Sequence, residues 1–393
     1  MLGDRSTFPN LAYDVYFNHA AMTPVSQPVR EAMVATMASY EQIGADAWFP
    51  AREARESLRH NLATLCGSSA ESIALMPNTS YGIAAIASSL ELQRGDRILL
   101  FTGEFPSNVS PWQAVARRAG VDLVFANPDQ LWTDDGIAAL TAELSLGLRL
   151  VAISAVQFQT GLRMPLERIG ELCRAVGTRF FVDGIQALGG LPVDVAACHI
   201  DYLAAGGHKW LMGPEGTGML YVAPDRACEL DPLLIGWLSH EDGTRFLVDG
   251  AGHLRTDLPL RERADVFEIG CMNSVGFAGL GAAVERLVAA GPVQIHSHVQ
   301  SILDPLENGL KARDFDSVRS SNPAARSNIL SVRPPEDLDL AELQQALLRH
   351  GLSVATPDGF LRFSPHAPNS IDEVESALDR VDRAVDELRR NRA

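Results

Sequence analysis

Lysine is almost missing from this chain. Of 33 basic side chains in 393 residues only Lys209 and Lys311 are lysine; every other one is arginine. Arginine supplies the same net charge, so the bias excludes no function, but it makes each surviving lysine informative. Positive charge as a whole is also scarce. The 49 acidic residues leave a formal net charge of -16, and no basic run appears, so the field of the protein would repel nucleic acid and anionic membrane surfaces. Small molecules are the expected partners. The five cysteines, Cys66, Cys173, Cys198, Cys228 and Cys271, are odd in number with no pair at C-x-x-C spacing. That argues against a disulfide framework or structural zinc and fits a reducing cytoplasm. No window approaches 18 uninterrupted apolar residues, and the N-terminal MLGDRSTFPNLAYDVYFNHA lacks the charged-then-apolar pattern of a signal peptide. A soluble, unprocessed, cytoplasmic chain is expected.

What is present is an ordinary globular composition, 46% hydrophobic and 7% aromatic, in a chain long enough for two or three domains. QPVREAMVATMASYEQI and PAREARESLRHNLATL carry apolar residues three and four apart and read as amphipathic helices, with Pro28 and Pro50 where helices begin. From residue 72 short apolar runs take over: RILLF, DLVFA, LRLVAIS, RFFVD and GMLYV, most of them separated by helical stretches such as PLERIGELCRAVG. Buried strands alternating with helices mean a mainly parallel sheet covered on both faces, and the ligand site of such a sheet lies at the carboxyl ends of its strands. Residues 239 to 265 are polar and glycine-containing and read as an irregular excursion. From about residue 281 long helices surround the short strands NILSV and FLRFS. The expected organisation is an α/β large domain over residues 21–280 and a smaller α+β domain built from 1–20 and 281–393.

Four segments follow a strand or open a helix and bear chemistry. In MPNTSYGIAAIASSL, Asn78, Thr79 and Ser80 stand at a helix start, where free N–H groups and the positive dipole end would hold a phosphate; simple N-capping explains the same residues. In GEFPSNVSPW, Phe105 sits where a ring could stack on a flat ligand or belong to the core. Asp183 ends the wholly apolar strand of FFVDGIQALGG, and a buried carboxylate is costly without a partner, although a turn residue is an equal reading. Lys209, in GGHKWLMGPEGTG, is flanked by Trp210, Leu211 and Met212, which would desolvate its amine toward nucleophilic reactivity; the bland alternative is a surface lysine laid along apolar neighbours. Pyridoxal 5'-phosphate uses all four features at once: a phosphate cup, a stacking ring, a carboxylate for its ring nitrogen and an amine for its aldehyde.

At these residues the chain resembles the class V aminotransferase family, the group that includes cysteine desulfurases, isopenicillin N epimerase-like proteins and kynureninase. The resemblance runs through FNHAAMTPVS, NTSYGI, EFPSNVSPW, SAVQFQTGLRMPL, VDGIQALGGLPVDV, GGHKWLMGPEGTGMLYV, FEIGCMNSVGFAGLGAA and LRFSPHAPNSIDEV in order. It implies the fold of type I pyridoxal phosphate enzymes, with Lys209 as the Schiff-base lysine and Asp183 at the ring nitrogen, the two catalytic residues. It further implies Gln186 near the phenolic oxygen, Asn78, Thr79, Ser80 and His208 at the phosphate, Phe105 on the ring, and Gln157 and Cys271 as further cofactor contacts. His19, Ala20 and Arg362 would meet the substrate, Arg362 through the substrate carboxylate, because a planar guanidinium grips that group bidentately, and Trp237 would reach it from the partner subunit. A homodimer is implied, with GCMNSVG lent to the neighbouring subunit's phosphate site.

The departures from the family pattern narrow the chemistry. Desulfurases of this group usually carry histidine where Phe105 stands and need a mobile cysteine in the small domain, whereas no cysteine follows Cys271 here. Gly206 replaces a serine or threonine that touches the phosphate in many relatives, and Ala155 stands where some have histidine or tryptophan. The expected activity is therefore β-elimination at an α-amino acid, carbon–sulfur cleavage of a cysteine-type conjugate with Lys209 as base. Transamination, epimerisation and oxidative deamination are the alternatives on the same fold, and a pyridoxal-binding regulator without activity is a more remote one. GPEGTG and GFAGLGAA lack dinucleotide-fingerprint spacing, and His296 and His298, two apart on a helix, face different ways, which argues against a metal pair.

Overall fold

The structure is a computed structural model, and it describes residues 2–392. In chain order its regular elements begin with β1 (Val15–Tyr16), α1 (Gln27–Ile43), α2 (Trp48–Cys66), β2 (Ile73–Met76) and α3 (Thr79–Ser89). Next come β3 (Arg97–Phe101), α4 (Ser110–Ala119), β4 (Asp122–Ala126), α5 (Asp134–Ser145), β5 (Leu150–Ser154), α6 (Leu166–Val176), β6 (Arg179–Asp183), β7 (Tyr202–Gly206) and β8 (Gly218–Val222). The chain ends with α7 (Arg245–Val248), α8 (Ser274–Ala290), α9 (Pro292–Lys311), β9 (Asp316–Ser317), β10 (Leu330–Arg333), α10 (Leu340–Arg349), β11 (Leu352–Ser353), β12 (Leu361–Phe363) and α11 (Glu373–Arg392).

Seven strands form the central sheet in the order β2-β8-β7-β6-β5-β3-β4. Only β8 runs against its neighbours; the pairs β3–β4, β3–β5, β5–β6 and β6–β7 are parallel. Alternate residues of one strand enter opposite cores. Phe180 and Val182 of β6 join one buried cluster and Phe181 the other; Val151 and Ile153 of β5 oppose Leu150 and Ala152 in the same way. Both faces of the sheet are thus dry, which is why these strands read as continuous apolar runs. Helices stop where the sequence allows a left-handed residue: α4 at Gly120 (φ 74°) and α6 at Gly177 (φ 74°).

A three-stranded antiparallel sheet, β12-β10-β9, belongs to the C-terminal unit, and the N-terminal arm joins that unit through the parallel pair β1–β11. Position 280 lies inside α8, and one hydrophobic cluster runs from the central sheet into Leu303, Leu330, Val332 and Phe363, so the two units share a core. Within residues 239 to 265 the one α-helical turn is α7, and the segment is tied together by an isolated bridge between His240 and Leu260, backbone bonds such as Arg261 N–H to the Ser239 carbonyl at 3.0 Å, and a 2.8 Å contact from His240 Nδ1 to the Leu258 carbonyl. Among the described residues no single helix is long and apolar enough to cross a membrane; α8 and α9, apolar as a pair, meet at an 81° bend.

Candidate active site

Asp183 is the last residue of β6 and is buried. Its Oδ1 accepts the Ile185 N–H at 3.0 Å, and burial pushes its carboxyl up to about 7, with the Glu104 carboxylate adding to the rise and the Lys209 cation opposing it. A carboxylate held so poorly solvated gains most from a cationic N–H placed against it. The next strand end, after β7, gives the loop Gly207–Met212. Three backbone bonds close it: Gly207 N–H to Thr217 O at 2.7 Å, Gly213 N–H to Gly207 O at 2.8 Å, and Met212 N–H to Lys209 O at 3.1 Å. Met212 takes a left-handed φ of 56°, a conformation costly for a non-glycine residue. The loop is anchored on both sides, by Thr23 N–H to the His208 carbonyl at 2.8 Å and by His366 Nε2 to the Trp210 carbonyl at 2.9 Å.

Lys209 is half-buried in this loop. Burial and the neighbouring Arg362 cation lower its ammonium to about 8, against the pull of Asp183. Its Nζ lies 5.6 Å over the Phe105 ring. Phe105 is 43% exposed and meets Phe158 edge-on at 5.2 Å, so a ring face stands open beside the amine. Phe158, Glu104 and Ser154 were not among the expected site residues. A signal was available for Glu104, since it follows an apolar strand by three residues in the manner that Asp183 closes one.

The phosphate cup is α3. Asn78 caps it, Oδ1 accepting the Tyr81 N–H at 2.8 Å, so the capping reading holds for that side chain. Thr79 is buried and its Oγ1 has no hydrogen-bond partner. A Cβ on Gly206 would lie 3.1 Å from both Thr79 Oγ1 and His208 Cε1, which puts Gly206, Thr79 and His208 around one small space. Ser80 bonds Ser107 at 2.7 Å. Desolvation and Lys209 lower the His208 imidazolium, so this ring is neutral near pH 7 and offers a hydrogen bond.

Arg362 on β12 closes the opposite side. It is buried, its Nη1 donates to the Phe158 carbonyl at 2.7 Å, its Nε is unpartnered, and desolvation alone lowers its pKa to about 10. Other sequestered guanidinium groups find carboxylates, Arg59 with Glu268 at 2.6 Å and Arg319 with Glu307 at 2.7 Å, although buried Arg55, among the described residues, bonds only the Ser274 hydroxyl, at 2.8 Å. Gln186 is fixed between Trp210 Nε1, which donates to its Oε1 at 2.8 Å, and the Ala20 carbonyl, which accepts from its Nε2 at 3.0 Å. Gln157 is buried with Nε2 unpartnered.

Three expected contacts are not brought together with Lys209. His19, expected at the substrate, is turned into the interior: it is buried, Nδ1 sits 3.2 Å from Thr23 Oγ1, and the ring packs edge-on against Tyr16 and His366. Burial, with the His366 ring beside it, lowers its pKa well below the usual imidazole value and holds it neutral. Trp237 and Cys271 lie instead along a separate groove of about 790 Å³, with Tyr40, Trp48, Phe49 and Leu247 in its walls. His296 and His298 find separate partners, Asn328 Oδ1 and the Asn369 carbonyl, both at 2.7 Å.

The residues fit pyridoxal phosphate on the chemistry left unsatisfied. Thr79 Oγ1 is buried without a partner beside the space that Gly206 keeps clear, Gln157 Nε2 is likewise buried and unpartnered, a buried aspartate waits for a cation, and an amine stands over an open ring. A parallel α/β sheet with these groups at its strand ends defines a type I pyridoxal phosphate enzyme. The chain belongs to the aminotransferase class-V family, whose family model matches residues 15–374. A probable cysteine desulfurase of Methanothermobacter thermautotrophicus is 30% identical over 314 residues, 79% of this chain and 76% of that one. An isopenicillin N epimerase of Streptomyces clavuligerus is 27% identical over 340 residues, 84% of each chain. The structure of the cystine C-S lyase C-DES with its product cysteine persulfide superposes with a TM-score of 0.86 at 27% identity, covering 95% of this chain and 98% of that one.

Proposed function

We propose that the enzyme catalyses β-elimination at an α-amino acid bearing sulfur on its β-carbon, a carbon–sulfur lyase acting on cysteine-type conjugates. Thr79, His208 and the first N–H groups of α3 would hold the cofactor phosphate, Asp183 would serve the ring nitrogen, and Phe105 would cover the ring. Pyridoxal phosphate bound there would supply an electron sink for the substrate α-carbon. Arg362 takes the substrate carboxylate, the ion pair that its buried guanidinium lacks within the chain, and so fixes the α-carbon beside Lys209. Lys209, partly neutral near pH 7, takes the α-proton; the Cβ–S bond breaks with its electron pair on sulfur, and the thiolate is protonated as it leaves. The remaining enamine adds water and is released as pyruvate and ammonia.

The observation that carries this choice is the placing of the thiols. Cys66 and Cys173 are buried, with burial raising each thiol, and neither Cys198, Cys228 nor Cys271 belongs to the side chains around Lys209. A leaving sulfur therefore meets the open Phe105 side of the site and no thiol of its own subunit, and Cys271, whose segment the family resemblance assigns to the other subunit's phosphate, is expected away from that sulfur, which favours release over transfer. The assembly is inferred to be a homodimer in which Cys271 and Trp237 approach the other subunit's site. Exposed Phe49, Leu247 and Val248 beside that groove support the reading. Incubation with S-substituted cysteines tests the reaction, with stoichiometric pyruvate, ammonia and free thiol expected. Sedimentation at micromolar concentration tests the dimer, and a monomer that is fully active would overturn it.

A further inference from the structure

Glu104 is a second buried carboxylate in the site, and among the described residues no cation pairs with it. It is 9% exposed and accepts from the Ser154 N–H at 2.7 Å, from the Ser154 hydroxyl, and from Asn108 Nδ2 at 3.0 Å. Asn108 Oδ1 in turn accepts the indole N–H of Trp112 at 3.3 Å, and Trp112, wholly buried, packs edge-on against Phe181 at 5.5 Å. Phe181 stands two residues before Asp183 on β6, and Ser154 is the direct cross-strand partner of Asp183. The Asp183 carbonyl accepts the Ala155 N–H at 2.8 Å. These contacts form a closed belt from Asp183 through Phe181, Trp112, Asn108, Glu104 and Ser154 back to Asp183.

We propose that Glu104 is a positioning residue whose anionic carboxylate, locked in this belt, helps Asp183 keep the cofactor's ring nitrogen protonated while anchoring the loop that carries Phe105. The inference rests on Asp183 facing that nitrogen. Three donors converge on one carboxylate, an arrangement that favours the charged form and offsets the cost of burial. Two anions on one side of a pyridinium bind its proton more firmly than Asp183 alone. The other charged groups facing Asp183 and its surroundings are Lys209, with Arg362 and His208 beside that lysine. None of these is bonded to Glu104. Burial raises the Glu104 carboxyl, and Glu104 contributes to the rise at Asp183, the direction expected of two anions in one dry site.

The test is the midpoint for ring-nitrogen protonation in holoenzyme reconstituted with 15N-labelled pyridoxal phosphate, read from the nitrogen chemical shift against pH. E104Q is expected to lower that midpoint by at least about one unit, a tenfold weaker hold on the proton, and to lower kcat with KM little changed. N108A keeps the charge but removes one of the three donors to the carboxylate, and should shift the midpoint the same way by clearly less than E104Q. Should E104Q fail to fold, S154A removes one donor from the carboxylate and should shift the midpoint the same way by less. An unchanged midpoint in E104Q or S154A, or an equal shift in N108A, overturns the proposal. D183N separates the underlying assignment: if it too leaves the midpoint unmoved, Asp183 does not face the nitrogen and both readings fall together.

Discussion

Arg362 reaches 2.7 Å to the carbonyl of Phe158 and, among the described residues, has no carboxylate partner. One buried guanidinium between the two domains is thus held by a neutral acceptor, and it faces the amine of Lys209. A charge-assisted bidentate bond to a substrate carboxylate is worth about 2–3 kcal/mol. R362A is expected to raise KM roughly 100-fold while leaving cofactor affinity as in the wild type. R362K should recover little of the loss, because an ammonium cannot supply the planar fork. Steady-state kinetics beside a cofactor titration checks both.

Lys209 supplies the base, and general-base catalysis is worth about 10²- to 10⁴-fold. K209A should lose at least that much activity and also the visible absorption of the bound cofactor. K209R, which keeps the charge, should fare no better.

Attachment to the cofactor needs the neutral amine, and burial with Arg362 brings Lys209 down to about 8. The rate at which cofactor-free protein recovers its colour with pyridoxal phosphate should rise with pH and level off above about 8. A surface-like lysine would keep rising toward 10. R362A removes a neighbouring cation, so its profile should move to higher pH.

Asp183 gives the opposite sign in stability. Its folded pKa of about 7 lies above its ordinary 3.8, so its contribution to the cofactor-free fold is fully present below about 3.8 and lost as pH rises to about 7. Urea unfolding of cofactor-free protein at pH 5 and 7.5 should show the wild type weaker at the higher pH. D183N should flatten that difference.

Gly189 takes a φ of 97°, and a Cβ there would lie 2.3 Å from the Trp210 carbonyl, the same carbonyl that His366 holds. G189A should therefore cost about 2–4 kcal/mol by thermal or urea melt and displace the Lys209 loop. Weaker cofactor binding should accompany the loss.

Much of the frame was legible from residues alone. β3, β6 and β8 occupy RILLF, RFFVD and GMLYV residue for residue, because strands buried on both faces need unbroken apolar runs, and the edge strand β4 matches DLVFA although none of its residues is buried. Asp183 and Lys209 stood out as polar interruptions at strand ends. Glu104 was equally visible in GEFPSNVSPW, yet its burial depends on Ser154, 50 positions away, and pairing at that distance leaves no local trace. The burial of His19 was hidden for the same reason: the ring that covers it, His366, comes from the far end of the chain. Cys271 and Trp237 share a groove away from Lys209, and no periodicity in FEIGCMNSVG distinguishes a residue that faces its own site from one that faces another.

The most direct measurement is product analysis from one pot: holoenzyme with an S-substituted cysteine, with pyruvate, ammonia, thiol and cofactor form followed together. The account predicts the first three in equal amounts over many turnovers, with the cofactor spectrum returning to its starting state. Accumulation of aminated cofactor, racemised substrate without net loss, or alanine with sulfur retained on the protein would each contradict it.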